Sequence, residues 1–152
     1  GITLSYIVAE RDLSSTLENQ IVEELEKQAS LSKVTIGQIN SYKNPNDLDI
    51  IAKKVGTSLN SRVTLIDFKG FVVGDSEIEF DNLQYVENHL NRPEIIEAGK
   101  NQSGWSIRYS ETLQEELLYF AIKDSNLDNS GFIRIAVPYT YVQDAFLDSH
   151  YR

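Results

Sequence analysis

The sequence predicts an α+β fold in which helices accompany a five-stranded antiparallel sheet. Hydrophobic residues recur at helical spacing over residues 1–40 and 139–152, whereas β-branched and aromatic residues fill five short segments between residues 62 and 138. These segments follow one another without the long crossover helices that parallel strands need, so an antiparallel sheet is expected. The length of 152 residues is that of a single domain.

A long N-terminal helix is predicted over residues 1–40, because no proline occurs before Pro45. Leu17, Ile21 and Leu25 recur every four residues and define one apolar face. A helix of about 30 residues would span ~45 Å, which is more than a small domain needs for its own core. We therefore expect this face to form the seam of a homodimer. The alternative is a helix that only packs on the sheet.

A second helix and a β-hairpin are predicted next. Asn46 can cap a short helix that runs to Leu59. Residues 62–67 and 71–74 are predicted to be two strands, and Gly70 lies in the turn between them, where a positive φ is needed. The polar stretch that follows, to residue 90, is expected to be irregular.

The rest of the chain is predicted to add a short helix, three strands and a final helix. Pro93 suits the first turn of the short helix and Gly99 suits its end. The three strands cover residues 103–109, 116–122 and 132–137. Thr140 and Gln143 have the spacing of a capping box, which predicts a C-terminal helix over residues 139–152.

Composition excludes several classes of function. The formal net charge of −9 argues against nucleic-acid binding, which needs clustered basic residues. The absence of Cys removes thiol catalysis, and the two histidines, His89 and His150, are far apart in the sequence, so we predict no metal site. No nucleotide-binding loop or nucleophile elbow occurs, so we predict no catalytic residue and no cofactor. No apolar run of about 18 residues occurs, so no transmembrane helix is expected in the chain as given.

Five short stretches, in the expected order, resemble one family of bacterial receptor domains. They are residues 62–76 (RVTLIDFKGFVVGDS), 87–95 (ENHLNRPEI), 108–112 (RYSET), 118–121 (LYFA) and 131–138 (GFIRIAVP). Together they are similar to the extracytoplasmic PAS-like sensor domains of PhoR- and WalK-type sensor histidine kinases. The resemblance covers the sheet core, residues 62–138, and does not extend to a motif in the N-terminal helix.

This resemblance implies a PAS-like fold and a role in signalling. The domain would lie outside the cell membrane, in a membrane-anchored, homodimeric histidine kinase of the phosphate-regulation type whose kinase lies outside this chain. Its stimulus would be a small molecule or a membrane-protein partner. Two alternatives stay open. One is the sensor domain of a chemoreceptor or a diguanylate cyclase, and the other is a protein–protein interaction domain without a small-molecule ligand.

Candidate ligand contacts follow from the predicted strands. Arg62, Arg108 and Arg134 lie in strands, and any that points inward must pair with an anionic ligand or with a carboxylate such as Asp67 or Asp75. The residues predicted to bind a ligand are Arg108, Tyr109, Tyr119 and His89. The alternatives are a structural ion pair for the arginines, core packing for the tyrosines and a structural hydrogen bond for the histidine.

Overall fold

The computed structural model describes residues 2–38, 44–111, 113–125, 131–140 and 144, and for residues 2–14 it describes the backbone only. The helical segments in this part of the chain are α1 (Ile2–Gly37), α2 (Asn46–Leu59), a 3₁₀ helix (Phe80–Tyr85) and α3 (Pro93–Asn101). The strands are β1 (Arg62–Ile66), β2 (Val72–Asp75), β3 (Ser103–Ser110), β4 (Glu115–Asp124) and β5 (Gly131–Pro138). They form one antiparallel sheet in the order β2-β1-β5-β4-β3, which confirms the predicted α+β fold.

Two helix ends differ from the predictions. Asn46 is the first residue of α2 and not its cap, because Pro45 precedes it in helical geometry and makes no side-chain capping bond. The helix α3 continues through Gly99, which does not take the positive φ by which glycine usually ends a helix. Gln102 follows the last residue of α3 and takes a φ of 74° there.

The turn between β1 and β2 depends on Gly70, whose φ of 93° confirms the predicted positive value. A Cβ atom at this position would lie 2.3 Å from Asn88 Oδ1 and 2.6 Å from Leu90 Cβ. The backbone N–H of His89 also donates to the Gly70 carbonyl over 2.8 Å. The segment that follows the 3₁₀ helix is therefore seated directly on this turn.

Helices cover both faces of the sheet. The helices α1 and α2 pack on one face, and the core there includes Val63, Leu65, Leu118, Phe120, Ile133 and Ile135. The helix α3 and the 3₁₀ helix lie on the other face, around Ile66, Ala121 and Phe132. Because side chains alternate along a strand, Tyr119 and Arg134 share this second face.

The apolar face of α1 is used inside the same chain. Leu25 is only 3% exposed, Ile21 packs against the same core, and Leu17 is half-buried. Leu25 is therefore not available to a second copy, because α1 packs on β4 and β5 as the alternative interpretation expected. Among the residues of α1 whose side chains are described, 15–37, the exposed large apolar side chains are Leu31 and Val34.

Predictions were also made for the polar stretch up to residue 90 and for the C-terminal segment. The polar stretch expected to be irregular contains the 3₁₀ helix at Phe80–Tyr85. The C-terminal helix predicted over residues 139–152 falls outside the described residues except at positions 139, 140 and 144.

Candidate functional site

A cavity of about 720 Å³ opens on the sheet face that α3 and the 3₁₀ helix cover. Its floor is formed by side chains of β3, β4 and β5, and its walls by the segment between residues 78 and 92. Four arginines border it: Arg62, Arg92, Arg108 and Arg134. His89 and three tyrosines, Tyr85, Tyr109 and Tyr119, also line the cavity. The cavity is therefore basic and aromatic, although the whole chain is acidic.

Strand alternation explains why the basic side chains converge. Ser106 pairs with Tyr119 across β3 and β4, and Tyr119 pairs with Ala136 across β4 and β5. Arg108 and Arg134 lie two residues from these pairs along their own strands, so they point to the same face. The two guanidinium groups therefore flank one tyrosine ring.

A single buried carboxylate serves both of these arginines. Glu94 is fully buried in the first turn of α3. Its Oε2 accepts hydrogen bonds from Arg108 Nη1 over 2.5 Å and from Ser106 Oγ over 3.0 Å, and its Oε1 lies 3.6 Å from Arg134 Nη1. Burial alone raises the pKa of Glu94, but the Arg108 hydrogen bond and the Arg134 charge outweigh it and leave that pKa below its ordinary value. The carboxylate is therefore ionised at neutral pH.

Tyr119 supports both guanidinium groups through its ring. The Cζ atom of Arg108 lies 3.8 Å from the ring centre and that of Arg134 lies 4.7 Å from it. A cation within about 6 Å of an aromatic face is attracted by the ring quadrupole. The ring thus holds two like charges near each other at the floor of the cavity.

Arg134 is the most deeply buried basic group of the site. Its side chain is 3% exposed, and burial lowers its pKa to about 10 even though Glu94 acts in the opposite direction. Its Nη2 donates a long hydrogen bond of 3.5 Å to Thr64 Oγ1, while its Nε has no hydrogen-bond partner among the described residues. A buried cation with so few partners is costly unless another anion approaches it.

Arg62 is neutralised by a carboxylate of its own. Its Nη2 lies 3.3 Å from Asp75 Oδ2, and Asp75 is 1% exposed. Asp75 also accepts from Thr64 Oγ1 over 2.7 Å and from the Glu77 N–H over 2.9 Å. Of the two predicted carboxylate partners, Asp75 forms the ion pair with Arg62. Asp67 Oδ1 instead accepts backbone N–H groups within the β1–β2 turn.

His89 lines the cavity, and its imidazole is uncharged at neutral pH. It is 8% exposed, and its pKa falls to about 3 because burial and then the charges of Arg134 and Arg92 disfavour the imidazolium. Its Nδ1 has no hydrogen-bond partner among the described residues. The histidine is therefore neither a salt-bridge partner nor a fully satisfied structural group.

All four residues predicted to bind a ligand border this cavity: Arg108, Tyr109, Tyr119 and His89. Whether they contact a ligand stays a prediction. Arg134 was among the arginines expected to point inward if buried, but it was not predicted as a ligand contact. Glu94 was not predicted as a site residue, because an acidic residue in the first turn of a helix is usually solvent-exposed and complements the helix dipole.

A second concave region lies at the free edge of β2. This groove of about 480 Å³ is bordered by Pro45 and Leu48, by residues 71–73 and by the 3₁₀ helix region. Its polar side chains are Asp81 and Gln84. It therefore lacks the convergent charged groups that distinguish the basic cavity.

Neither a metal cluster nor a membrane span is found in the described part of the chain. No group of three or more His, Asp or Glu side chains there has the geometry to hold a metal ion. No helix in the same residues combines the length and the hydrophobicity that a membrane-spanning segment requires.

A comparison with protein-family models finds a match to the single Cache-like family over residues 14–138. No curated protein sequence gives a significant match. The similarity to characterised proteins therefore rests on the family model and on solved structures.

Three solved structures illustrate the likeness in fold. The sensor domain of the V. cholerae histidine kinase DctB is 16% identical, with a TM-score of 0.67 and coverage of 96% of this chain and 61% of that one. The ligand-binding domain of the Campylobacter jejuni chemoreceptor Tlp3, in complex with 4-methylisoleucine, is 14% identical, with a TM-score of 0.62 and coverage of 92% and 61%. The E. coli DcuS sensor domain is 16% identical, with a TM-score of 0.56 and coverage of 81% and 95%.

The chain spans about three fifths of the Tlp3 and DctB domains that it matches, and nearly the whole of the DcuS domain. At these identities the likeness concerns the fold alone. The matches lie with sensor domains of the Cache type and give no support to a PhoR or WalK type in particular.

Proposed function

We propose that this chain, which belongs to the single Cache-like family, is the extracytoplasmic sensor domain of a signal-transducing membrane receptor. The observation that carries the proposal is the basic cavity, in which Arg108 and Arg134 share the buried Glu94. A buried, charged and aromatic cavity with a few convergent polar groups is typical of a small-molecule site. The domain itself would have no enzymatic activity.

The proposed stimulus is a small molecule that carries an acidic group. Guanidinium groups bind carboxylates with a matching planar geometry, and their effect is strong where water is excluded. The net charge of −9 does not prevent this, because charges farther than about 8–10 Å are screened at physiological ionic strength. The Tlp3 structure in complex with 4-methylisoleucine supports binding of a small molecule by a domain of this fold.

The proposed output is a histidine kinase, with a chemoreceptor as the second candidate. DctB, a histidine kinase, supports the first output, and the chemoreceptor Tlp3 supports the second. The narrower role in phosphate regulation, which the resemblance to PhoR implied, lacks support from these matches and is not part of the proposal. Both outputs place the domain in a membrane-anchored protein, outside the cytoplasm.

The sheet offers a direct route from the cavity to α1. Tyr119 and Arg134 form the floor of the cavity, while their neighbours Phe120 and Ile135 lie in the core beneath α1 and α2. A ligand that moved β4 relative to β5 would therefore change how α1 packs on these two strands. Such a ligand shifts the balance between two states only if it binds them with different affinities.

Homodimerisation stays part of the proposal. Replacing Ile21 and Leu25 with glutamate would not test dimerisation. Both side chains pack on the core of the same chain, so these substitutions would unfold it. The informative substitutions are Leu31→Glu and Val34→Glu, which change exposed residues of α1. A shift of mass from dimer to monomer in light scattering, without loss of melting temperature, is the result expected if α1 pairs with a copy of itself.

Ligand-dependent stabilisation tests the proposed function. A library of small organic acids should contain compounds that raise the melting temperature of the chain, and Arg108→Gln should abolish that shift. Stabilisation that persists unchanged in the Arg108→Gln protein would place the ligand elsewhere. Absence of any stabilising acid would favour the alternative of a protein–protein interaction domain without a small-molecule ligand.

A further inference from the structure

We infer that the ligand of the basic cavity is a short peptide, which adds as a sixth strand beside β3 and directs one acidic side chain towards Arg108. The inference rests on the proposed function, which places an acidic ligand in this cavity. It goes further by naming the chemical class of that ligand. The features that support it are the open edge of β3 and the position of Arg108 on this edge strand.

The backbone of β3 has hydrogen-bonding groups that are not used within the sheet. β3 is an outermost strand, and no strand lies beyond it in the described part of the chain. The Lys123 N–H donates to the Gln102 carbonyl over 2.9 Å, so the even-numbered residues of β3 are the ones that bond to β4. The N–H and C=O groups of Trp105, Ile107 and Tyr109 are therefore directed away from β4, towards the open edge.

The opposite edge of the sheet, at β2, is protected. β2 has only four residues, and an irregularity interrupts its register with β1. The Asp75 N–H donates to Asp49 Oδ1 over 3.1 Å, and the N–H of Phe71, directly before the strand, donates to Asp67 Oδ1 over 2.9 Å. By contrast, β3 has eight residues in unbroken register and contains neither the proline nor the lysine that commonly blocks an edge. β3 is therefore the edge that is open to an added strand.

The position of Arg108 determines where the peptide would carry its acidic residue. Arg108 faces the cavity, and so would the side chain opposite it on an added strand, because cross-strand neighbours share one face. In an antiparallel pair this position is a non-hydrogen-bonded one, where the two side chains approach most closely. An acidic side chain there would meet a guanidinium group whose described hydrogen bonds all come from Nη1. The cavity extends to this end of the edge strand, because Tyr109 and Ser110 also border it.

The neighbours of the acidic residue would be apolar. These two peptide residues would pair with Ile107 and Tyr109, and their side chains would lie on the other face of the sheet. On that face β3 presents Trp105, which is 38% exposed, and Ile107, which is half-buried. Contact with an indole and an isoleucine side chain favours apolar partners. The pattern that we expect to be recognised is therefore one acidic residue between two apolar residues in an extended chain.

Blocked five-residue peptides test this recognition. They are long enough to cover the edge from Trp105 to Tyr109, which spans about 14 Å. The parent set is acetyl-Thr-Φ-Asp-Φ-Thr-amide, in which Φ is valine, leucine or phenylalanine, and each peptide is titrated into the purified chain at pH 7.5 by calorimetry. Peptides with asparagine in place of aspartate keep the backbone but lose the charge. They should bind at least about tenfold more weakly than the parent peptides.

N-methylation of the peptide tests strand addition separately from charge. The N–H groups of the two apolar residues would donate to the carbonyl oxygens of Ile107 and Tyr109, whereas the N–H of the aspartate would point away from β3. Methylating either apolar residue should therefore weaken binding at least about tenfold, because it removes a donor and places a methyl group against the strand. Methylating the aspartate should change the affinity by less than about threefold. Equal effects of the two methylations would overturn strand addition.

A matched pair of substitutions tests the edge from the side of the protein. Tyr109→Pro removes an outward N–H and leaves the bonds to β4, whereas Tyr109→Thr loses the same ring and keeps that N–H. The proline variant should bind the parent peptides at least about tenfold more weakly than the threonine variant, and equal affinities would contradict the inference. If Tyr109→Pro fails to fold, hydrogen exchange decides. The Ile107 amide should exchange at least about tenfold more slowly in NMR spectra when a peptide is bound, and an unchanged rate would refute strand addition.

The outcomes separate this inference from the proposed function. Loss of binding with the asparagine peptides, together with indifference to the site of methylation, would overturn strand addition and leave the cavity as a site for acids. No binding by any parent peptide would also overturn the inference. The proposed function would still stand if a small organic acid stabilised the chain and Arg108→Gln abolished that effect. Absence of both kinds of binding would count against the inference and the proposed function together.

Discussion

The guanidinium carbon of Arg108 lies 3.8 Å from the centre of the Tyr119 ring. The same ring also lies 4.7 Å from the guanidinium carbon of Arg134. The ring thus provides part of the attraction that keeps two cations together over one carboxylate, Glu94. Its face, and not its hydroxyl group, is the feature on which this role depends.

Replacing the Tyr119 ring should therefore have a larger effect than removing its hydroxyl group. Tyr119→Leu is expected to lower the free energy of unfolding by about 2–4 kcal/mol, because it removes the cation–π contacts and leaves a cavity at a 5% exposed site. Tyr119→Phe keeps the ring and should cost less than about 1 kcal/mol. Urea denaturation measures both values, and equal losses in the two variants would contradict a role for the ring face.

The chain should lose stability on mild acidification because of His89. Its pKa is about 3 in the folded protein and 6.5 in the unfolded chain, so the unfolded chain binds more protons between these values. The stability is fully present above pH 6.5 and should fall by about 1 kcal/mol between pH 6.5 and 5.5. His89→Gln should flatten this slope in chemical denaturation. Parallel slopes for the two proteins would show that His89 is not responsible.

Gly99 within α3 and Gly104 on β3 should respond to alanine in opposite ways. A Cβ atom on Gly104 would lie 2.4 Å from Glu97 Cβ and 2.8 Å from the Glu94 carbonyl oxygen, so α3 would have to move away from β3. Gly104→Ala is expected to destabilise the chain by about 1–3 kcal/mol. Gly99→Ala is the matched control, since its Cβ would meet nothing closer than 3.9 Å and helical alanine is favoured by about 1 kcal/mol over glycine. Thermal unfolding of the two variants should therefore shift in opposite directions.

Lys53 should contribute more to stability than its neighbour on α2. Its Nζ lies 2.6 Å from Asp49 Oδ2 and donates to the carbonyl oxygens of Asp75 and Ile78, both over 2.9 Å. Lys53→Met removes this donor from all three acceptors and should cost about 1–3 kcal/mol. Lys54 is exposed, and Lys54→Met should change the stability by less than about 0.5 kcal/mol. A similarly small change in both variants would show that the hydrogen bonds of Lys53 to its three acceptors do not stabilise the folded chain.

The strands were predictable because their signal is local. β-branched and aromatic residues fill each of the five segments, and Gly70 supplies the positive φ that the hairpin turn needs. The helix ends were less predictable, because they depend on how neighbouring elements pack. Gly99 has the residue type of a helix end, yet α3 continues past it to Asn101.

The candidate site was predictable only in part, for a related reason. Alternation could place Arg108 and Arg134 on one face of the sheet, but it could not say that they would share a carboxylate. Glu94 is buried because α3 packs tightly on β3, where Gly104 lacks a side chain that would hold the helix away. The close packing of α3 on β3 is a tertiary effect. The local sequence around Glu94 alone is that of an ordinary, solvent-exposed first turn of a helix.

The shared use of β4 and β5 has a consequence for redesign. Along β4, Tyr119 borders the cavity while the next residue, Phe120, lies in the core against which α1 packs. Under the proposed function, substitutions on these two strands would therefore alter ligand preference and signalling bias together. A biosensor with a new specificity but an intact output is best sought at the rim, at residues 85–92. The strands β4 and β5 are better kept constant in any selection library.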